Sequence, residues 1–415
     1  MPKITKILLL VISVVLVLTV FLGVNSSGVS AASEPQDGAY RQINVYSEVL
    51  RHIQTDYVEE PNINSVTNGA LRGLLESLDA DSSYLTPEDY KAYKADKGGK
   101  AQVGINVSKR YGYATVVSVV PGSPADKANL NDGDIIEAIG VQDTRDLSLA
   151  MIQLLLEGQP GSQLTVSIVR PRKATPEKIS MTRVPNTLPP VTETMYENSS
   201  ILYLKPGVLD HDHVQQMETK LKAMQKAGNK KVLLDLRDVA AGDMAEATRL
   251  ANFLLKSGTI AMLEGQKVQK QTFVADASKA INATAPVVVL VNRGTAGPGE
   301  LVAAALLDNK RADLVGEKTF GEGAQQKTFE LPDGAALILS IAKYASPSGK
   351  KLQDEGVTPG VLVASNVDDG AGDDATTEDA QALTKPDAQP TPRKPGVAVD
   401  EQLTKALDLL KSKAA

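Results

Sequence analysis

The sequence predicts an α/β core with a largely parallel sheet, joined to a small β-rich module and preceded by a helical cap. Three observations lead to this prediction. Apolar residues recur at helical spacing over residues 39–95, and short β-type runs separated by turn residues fill residues 98–172. Strand-like and helical segments then alternate across residues 190–365, which favours parallel strands covered by helices on both faces.

The N-terminal residues 1–32 are predicted to form a signal peptide or a membrane anchor. Lys3 and Lys6 precede an apolar run, residues 7–24, and small residues follow up to Ala32. This order is typical of an export signal, and the run is also long enough to span a bilayer if it is not cleaved. We therefore expect an exported chain, either periplasmic or anchored through residues 7–24 and facing outside the cytoplasm.

The composition argues against several classes of site. The net charge of −6 argues against a nucleic-acid partner held by phosphate contacts. The chain has no Cys, which excludes disulfides, thiolate nucleophiles and zinc–thiolate sites. His211 and His213 lack a third metal ligand nearby in the sequence, and Asp212 between them is predicted to cap a helix. We expect no metal site and no cofactor.

The helical cap is predicted from two apolar stripes and a break. Residues 43–53 and 71–78 each place apolar side chains at helical spacing. The polar run 79–83 ends the second helix. Thr86-Pro87 begins a third, because Pro is favoured at the first helical position.

The β-rich module, residues 98–172, resembles a PDZ domain. The resemblance rests on three phrases in order: Gly104-Ile105-Asn106-Val107, Pro121-Gly122-Ser123-Pro124-Ala125 and Asp132-Gly133-Asp134-Ile135-Ile136. PDZ domains bind an extended peptide as an added strand at a sheet edge. The resemblance implies that Gly104, Ile105, Asn106 and Val107 bind the terminal carboxylate and the last residues of a protein tail.

The segment 190–365 supplies the α/β core. Apolar runs at 201–204, 231–236 and 285–291 are predicted strands, and the helical patterns lie at 213–227, 243–256 and 298–307. Ligands of such sheets bind beyond the carboxyl ends of the strands, which here are the loops after Leu236 and Val291.

The C-terminal part is predicted to be a tether followed by a helix. Residues 366–396 are rich in Asp, Ala, Thr and Pro, a composition typical of a flexible linker. Residues 397–415 place Leu403, Ala406 and Leu410 on one side of a helix, which we expect to dock on the body of the protein.

The order of these parts resembles that of the carboxyl-terminal processing peptidases over about residues 40–365. The resemblance includes the segment 78–85, the PDZ phrases and Asp235-Leu236-Arg237 after a core strand, and it continues through 344–349 and 356–359. Members of this family are serine-type endopeptidases with a Ser–Lys dyad. The resemblance therefore implies the fold of these peptidases. It also implies that the partners of the chain are the C-terminal tails of proteins.

The same resemblance places the catalytic positions of the family on unsuitable residues. In the segment 294–300 the nucleophile position falls on Gly297, and in 319–323 the position of the general-base lysine falls on Glu322. Gln326 keeps the position of a helper glutamine. The family's oxyanion region falls on Ala241, Gly242 and Pro298.

These replacements predict a pseudopeptidase. Gly297 has no side-chain nucleophile, and Glu322 has nothing there to activate. Ala241 replaces a glycine that lets a backbone N–H face the oxyanion. We predict a protein that binds C-terminal tails or regulates an active paralogue, as a homo-oligomer or in a complex with that paralogue.

Two other functions stay open. An active endopeptidase with a rearranged site would need another nucleophile, for which Thr295 is the first candidate, although a turn would point it elsewhere. Ser346 and Ser348 lie in a phrase that looks structural. A structural envelope protein would neither bind nor cleave peptides.

Overall fold

The computed structural model describes residues 36–95, 101–110, 112–170, 175–185, 188, 190–228, 231–364 and 400–413. The chain divides into two compact units, with the boundary between Thr67 and Asn68. The predicted signal peptide, residues 1–32, and the predicted linker, residues 366–396, lie outside the described residues, so both stay predictions.

Helices and strands occupy the segments that the sequence predicts, with further strands between them. The helices are α1 Gln36–Asp56, α2 Ile63–Glu76, α3 Pro87–Ala95, α4 Pro124–Lys127, α5 Leu149–Leu156, α6 His211–Ala227, α7 Met244–Leu254, α8 Pro298–Asp308 and α9 Glu401–Ser412. The strands are β1 Ser83–Leu85, β2 Ala101–Gln102, β3 Ile105–Arg110, β4 Tyr113–Val119, β5 Ile135–Ile139, β6 Gln142–Asp143, β7 Gln163–Val169, β8 Glu177–Thr182, β9 Val184–Pro185, β10 Thr192–Tyr196, β11 Ile201–Lys205, β12 Lys231–Asp235, β13 Thr259–Glu264, β14 Gln271–Val274, β15 Val287–Val291, β16 Ala312–Gly316, β17 Ala324–Glu330, β18 Ala336–Ala345 and β19 Val361–Leu362.

Helix α1 exposes much of its apolar face. The side chains of Tyr40, Ile43 and Val49 belong to residues that are 60%, 56% and 50% exposed. Within the described ranges, no helix is both long and apolar enough to cross a membrane. Helices α1 to α3 match the helical pattern of residues 39–95, while their role as a cap stays a prediction.

The β-rich module forms an antiparallel sheet with the strand order β3-β4-β5-β7-β8. Its strands and α5 enclose a separate core that includes Val116, Ile136 and Ile152, each at most 1% exposed. β3 is an edge strand of this sheet, and α5 packs beside it. An edge strand keeps one row of backbone groups free for an added strand.

The first core sheet has the order β10-β11-β12-β15-β16-β19. β10 runs antiparallel to β11, and the other neighbouring strands of this sheet are parallel. Leu234 and Val289 face one hydrophobic cluster, whereas Leu233 and Val288 face another. The strands are thus buried on both faces, as their unbroken apolar runs predict.

A second core sheet is antiparallel throughout, with the order β1-β18-β13-β14 and β17 paired with β18. Ser83 of β1 pairs with Ile338 of β18, which brings the segment before β1 next to the core. The core is therefore mixed α/β, and the prediction of a largely parallel sheet describes only one of its two sheets. Strands β13, β14, β17 and β18 were not predicted from the sequence.

Helix α9 covers the outer face of the first core sheet. Ala406 and Leu410 are fully buried against Leu233 and Val288. Lys231 Nζ donates a hydrogen bond of 2.7 Å to the carbonyl oxygen of Leu410 near the end of the helix. The predicted C-terminal helix is thus present and docked on the body.

A chain of charges connects the start of α9 to the loop after β12. Asp400 caps α9 by accepting a hydrogen bond of 2.9 Å from Leu403 N, and it accepts another of 2.9 Å from Arg237 Nη1. Arg237 also pairs at 2.7 Å with Asp235, which is fully buried. The Asp-Leu-Arg motif, residues 235–237, therefore connects the C-terminal helix to the loop that leads toward Ala241.

Candidate active site

Gly297 occupies the turn that leads from β15 into α8. Its backbone has φ +49° and ψ −111°, a conformation that other residues adopt only under strain. A strand, a sharp turn and a helix are the arrangement that exposes the nucleophile in many hydrolases. Here the residue at the centre of the turn presents no side chain.

The two altered family positions face each other. A Cβ placed on Gly297 would lie 3.9 Å from Ala240 O, 3.9 Å from Met244 Cε and 4.0 Å from Glu322 Cδ. These are ordinary contact distances, so the space beside Gly297 would accept a serine side chain. The structure therefore brings the predicted nucleophile and base positions together.

Glu300 connects the turn at Gly297 to the loop that carries Glu322. It is fully buried, and its Oε2 accepts hydrogen bonds from Gly297 N at 3.0 Å and Glu322 N at 2.7 Å. Its Oε1 accepts one from Gly321 N at 2.8 Å and one from the Thr319 hydroxyl. One carboxyl group thus joins the start of α8 to the loop 319–323.

Gln326 lies at the same site and contacts Asp81, which no sequence motif marks as a site residue. Its Nε2 donates to the carbonyl oxygen of Asp81 at 2.6 Å. Gln353 Nε2 donates to Asp81 Oδ2 at 3.0 Å, and Gln353 Oε1 accepts from Gly323 N at 2.8 Å. Asp81 and Gln353 therefore support the loop that carries Glu322.

The electrostatics of this site differ from those that a lysine base would need. Burial raises the pKa of Glu322 to about 8, with Asp81 and Glu300 adding to the shift. Burial and the neighbouring Asp79 raise the pKa of Asp81 to about 6. Burial also raises the pKa of Glu300 to about 7, against the effect of its four hydrogen bonds. At neutral pH Glu322 therefore holds a proton, where a general base must be ready to accept one.

This shift predicts a pH-dependent effect of Glu322→Gln on stability. In the unfolded chain the Glu322 carboxyl titrates near 4.5, and in the folded chain near 8. As the pH rises between these values the unfolded chain binds fewer protons, so the free energy of unfolding of the parent falls. The variant lacks this loss, so its free energy of unfolding relative to that of the parent should rise by about 4 kcal/mol between pH 4.5 and pH 8.

The measurement is urea unfolding of the parent and Glu322→Gln at pH 4.5 and pH 8. The exposed Glu355→Gln is the matched control, and its difference from the parent should be small at both pH values. If the Glu322→Gln difference is the same at both pH values, the carboxyl does not have the raised pKa.

Hydrogen bonds and close contacts fix the backbone of the predicted oxyanion region, Ala241, Gly242 and Pro298. The Ala241 carbonyl accepts a 3.0 Å hydrogen bond from Leu209 N. Gly242 has φ +133°, and a Cβ there would lie 2.4 Å from Leu209 O, so this position requires glycine. Pro298 has no N–H to donate. The N–H groups on either side are taken, that of Gly297 by Glu300 and that of Gly299 by Ala296 O. Residues 297–299 thus offer no free N–H donor.

The other candidate nucleophiles occupy structural positions. Thr295 is fully buried, and its hydroxyl donates to Leu236 O at 2.8 Å and accepts from Asn292 N at 3.1 Å. Ser346 and Ser348 bond each other through their hydroxyls at 2.8 Å in a turn. These hydrogen bonds give each of the three hydroxyl groups a structural role, so no catalytic role is needed to account for them.

The histidines do not form a metal site. His213 is bonded to Asp210 at 2.7 Å, whereas His211 is exposed and contacts Glu246 at 2.9 Å. The N-cap of α6 is Asp210, so the prediction of Asp212 in that role was wrong by two residues. Among the residues that the structure describes, no group of three or more His, Asp or Glu could hold a metal ion.

The groove of the β-rich module opens onto the same site. A cavity of about 250 Å³ is lined by Ile105, Asn106 and Val107 of β3, by the end of α5, and by Ala240 and Glu322 of the core. Gly104 has φ +83°, and a Cβ there would lie 2.2 Å from Ser123 Cβ, so the turn before β3 requires glycine. Three of the predicted peptide-binding residues and Glu322 of the altered dyad thus border one cavity.

A larger cavity of about 860 Å³ lies between α6, α7 and β14, away from these residues. Its charged lining residues are paired with each other, as in Lys222 with Glu218 at 2.5 Å and Arg249 with Glu218 at 3.0 Å. It offers no reactive group that would compete with the site at Gly297.

Comparison with known proteins identifies both parts. Residues 101–181 match the PDZ domain, and residues 200–363 match peptidase family S41. The chain is 32% identical over 300 residues to the carboxyl-terminal-processing protease of a Picosynechococcus species, covering 71% of this chain and 72% of that protein. It is 28% identical over 367 residues to the carboxy-terminal processing protease CtpA of Bacillus subtilis, covering 86% and 76%.

A solved structure shows the same fold. The photosystem II D1 C-terminal processing protease aligns with a TM-score of 0.65 and 25% sequence identity, covering 77% of this chain and 92% of that chain. The PDZ resemblance and the peptidase resemblance found in the sequence are thereby confirmed.

Proposed function

The chain belongs to the PDZ-containing carboxyl-terminal processing peptidases of family S41, and on that premise we propose that it is a pseudopeptidase that binds protein C-terminal tails. It keeps the peptide groove and the fold of the family and lacks the means to cleave. The tails it binds belong to proteins that it protects, sequesters or presents to an active paralogue.

One observation carries the loss of catalysis. At a single place the chain lacks a nucleophile, an amine base and an N–H donor directly after the nucleophile position: Gly297 has no side chain, Glu322 is a carboxyl group, and Pro298 has no N–H. Acyl transfer through a Ser–Lys dyad needs all three. The surrounding framework, with Glu300 and its four hydrogen bonds, is nevertheless intact.

The binding function is supported by the edge strand β3 and the glycine turn before it. An added peptide strand would pair with the free edge of β3, and its terminal carboxylate would lie at Gly104 and Ile105. α5 would form the opposite wall of the groove. Relatives named for carboxyl-terminal processing make a protein tail the natural ligand class.

The location and assembly follow from the sequence and from α1. The charged, apolar and small-residue order of residues 1–32 supports export, with residues 7–24 as an anchor if they are retained. The exposed apolar side chains of Tyr40, Ile43 and Val49 support self-association or association with a paralogue.

The experiment compares binding and cleavage by residues 33–415. Fluorescent peptides that end in a free carboxylate or in an amide report binding, and an unfolded protein substrate reports hydrolysis. We expect at least about tenfold tighter binding of the free carboxylate, because its charge strengthens the hydrogen bonds from the N–H groups of the turn beyond those to a neutral amide. We expect no cleavage of the protein substrate.

Two outcomes would contradict the proposal. Cleavage that disappears in Thr295→Ala would establish the active endopeptidase with a rearranged site. Neither binding nor cleavage would favour the structural envelope protein.

A further inference from the structure

We propose that the groove selects peptides that carry a Lys or Arg side chain, and that Glu322 is the residue that selects them. This inference rests on the proposed binding of tails at β3 and adds the chemistry of the ligand. A lysine at position 322 would repel such a cationic side chain.

Glu322 lies where two cavities adjoin. It lines the groove cavity of about 250 Å³ together with β3, and it also lines a cavity of about 90 Å³ with Asp81 and Gln326. Gln153 of α5 lines both cavities as well. A side chain that leaves a peptide on β3 and points toward the core would therefore reach Glu322.

The charges around these cavities have one sign. The ionisable carboxyl groups of the lining are Asp81, Glu157 and Glu322, and the described residues of both linings include no Lys, Arg or His. Asp81 accepts a hydrogen bond from Gln353, and Glu157 accepts one from Gln102. The carboxyl oxygens of Glu322 accept none from any described residue.

A cationic side chain supplies what this carboxyl lacks. An ion pair in a half-enclosed cavity is stronger than one in water, and it would give Glu322 the hydrogen bonds that the protein does not provide. An apolar side chain at the same place would leave Glu322 unpaired. The strand addition also limits where the cation lies. With the terminal carboxylate at Gly104 and the peptide antiparallel to β3, the cationic residue is one of the last four residues of the peptide.

Proton release gives this interaction a signature of its own. Glu322 is protonated at neutral pH, so pairing with an ammonium or guanidinium group requires that it lose its proton. The other groups that face it are Asp81, Glu157, Glu300 and the hydroxyl of Tyr93. Glu300 lies at the start of α8, and the other three groups line the two cavities. None of these four groups is a cation.

The experiment is calorimetric titration of the parent, Glu322→Gln and the exposed control Glu355→Gln, which lines neither cavity, with eight-residue peptides that have a free carboxylate. The peptides differ only in having Lys or norleucine at one of the last four positions. At one position we expect the Lys peptide to bind the parent at least about tenfold tighter than its norleucine partner. Titrations in two buffers of different ionisation enthalpy should show close to one proton released at pH 7.

Glu322→Gln should lose both the Lys preference and the proton release while it binds the norleucine peptide as the parent does. Glu355→Gln should keep both. The inference falls if the parent shows no Lys preference at any position, or if the preference survives in Glu322→Gln. In those cases carboxylate-dependent binding of the norleucine peptide would leave the proposed function standing. Absence of binding by every peptide would overturn both.

Discussion

Gly297→Ser combined with Glu322→Lys is expected to give the chain a peptidase activity that the parent lacks. The two substitutions place a hydroxyl and an amine at positions that already face each other, with 4.0 Å between a Cβ at 297 and Glu322 Cδ. A correctly placed general base contributes about 10²–10⁴-fold to such a reaction. We therefore expect hydrolysis of an unfolded protein substrate at least about 10²-fold above background.

The conformation of Gly297 sets the stability of this variant. A Cβ at 297 meets no atom closer than 3.9 Å, so the serine fits, but its backbone must hold φ +49°. That conformation costs a residue with a side chain about 1–3 kcal/mol. We expect the variant to fold with a lower free energy of unfolding, which a urea titration will measure alongside the rate.

A third substitution, Pro298→Ala, should raise the activity further. It restores a backbone N–H directly after the nucleophile, where hydrolases with this turn place an oxyanion donor. One such donor is worth about 10²–10³-fold in kcat. Burial lowers the pKa of a lysine at 322, and the carboxyl groups of Asp81 and Glu300 raise it. The rate should increase with pH as the amine becomes neutral.

Gly297→Ala with Glu322→Lys is the matched control, because it has the same base and the same backbone strain without the hydroxyl. Activity in the serine variant and none in this control would mean that the scaffold is intact and only the dyad is missing. Equal activity in the parent and the control would place the nucleophile elsewhere. Folded but inactive serine variants, including the one with Pro298→Ala, would show that the scaffold has also lost its catalytic geometry.

The sequence was sufficient for the parts of the site that lie in local phrases. Gly297 and Glu322 were located from their flanking residues, and they face each other in the structure. The helices and buried parallel strands could also be predicted, because each has a periodicity of its own. The PDZ groove followed from three phrases in order.

The remaining parts depend on pairings between distant residues. β1 and β18 join residues 83 and 338, and neither segment alone indicates the other. Gln326 meets Asp81 across 245 positions of sequence, and Gln353 meets it across 272. The sequence also does not predict that residues 297–299 lack a free N–H, because this depends on which N–H groups donate to Glu300 and to Ala296 in the folded chain.

Glu300→Ala is expected to be the most destabilising substitution at the site. It removes the acceptor of four hydrogen bonds, three from backbone N–H groups of Gly297, Gly321 and Glu322 and one from Thr319, in a fully buried place. Buried donors without a partner cost about 1–3 kcal/mol each, less when the loops can relax. The expected loss is about 3–5 kcal/mol of the free energy of unfolding.

The measurement is urea unfolding of Glu300→Ala, Glu300→Gln and the exposed control Glu355→Ala. Glu300→Gln keeps the volume and one acceptor oxygen, so its loss should be intermediate, and the control should change by less than about 0.5 kcal/mol. A loss under 1 kcal/mol in Glu300→Ala would mean that the turn at Gly297 does not depend on this carboxyl. A large loss would explain why a site without a dyad keeps its buried glutamate: the residue stabilises the loop that presents Glu322 to the groove, which tail binding needs as much as catalysis would.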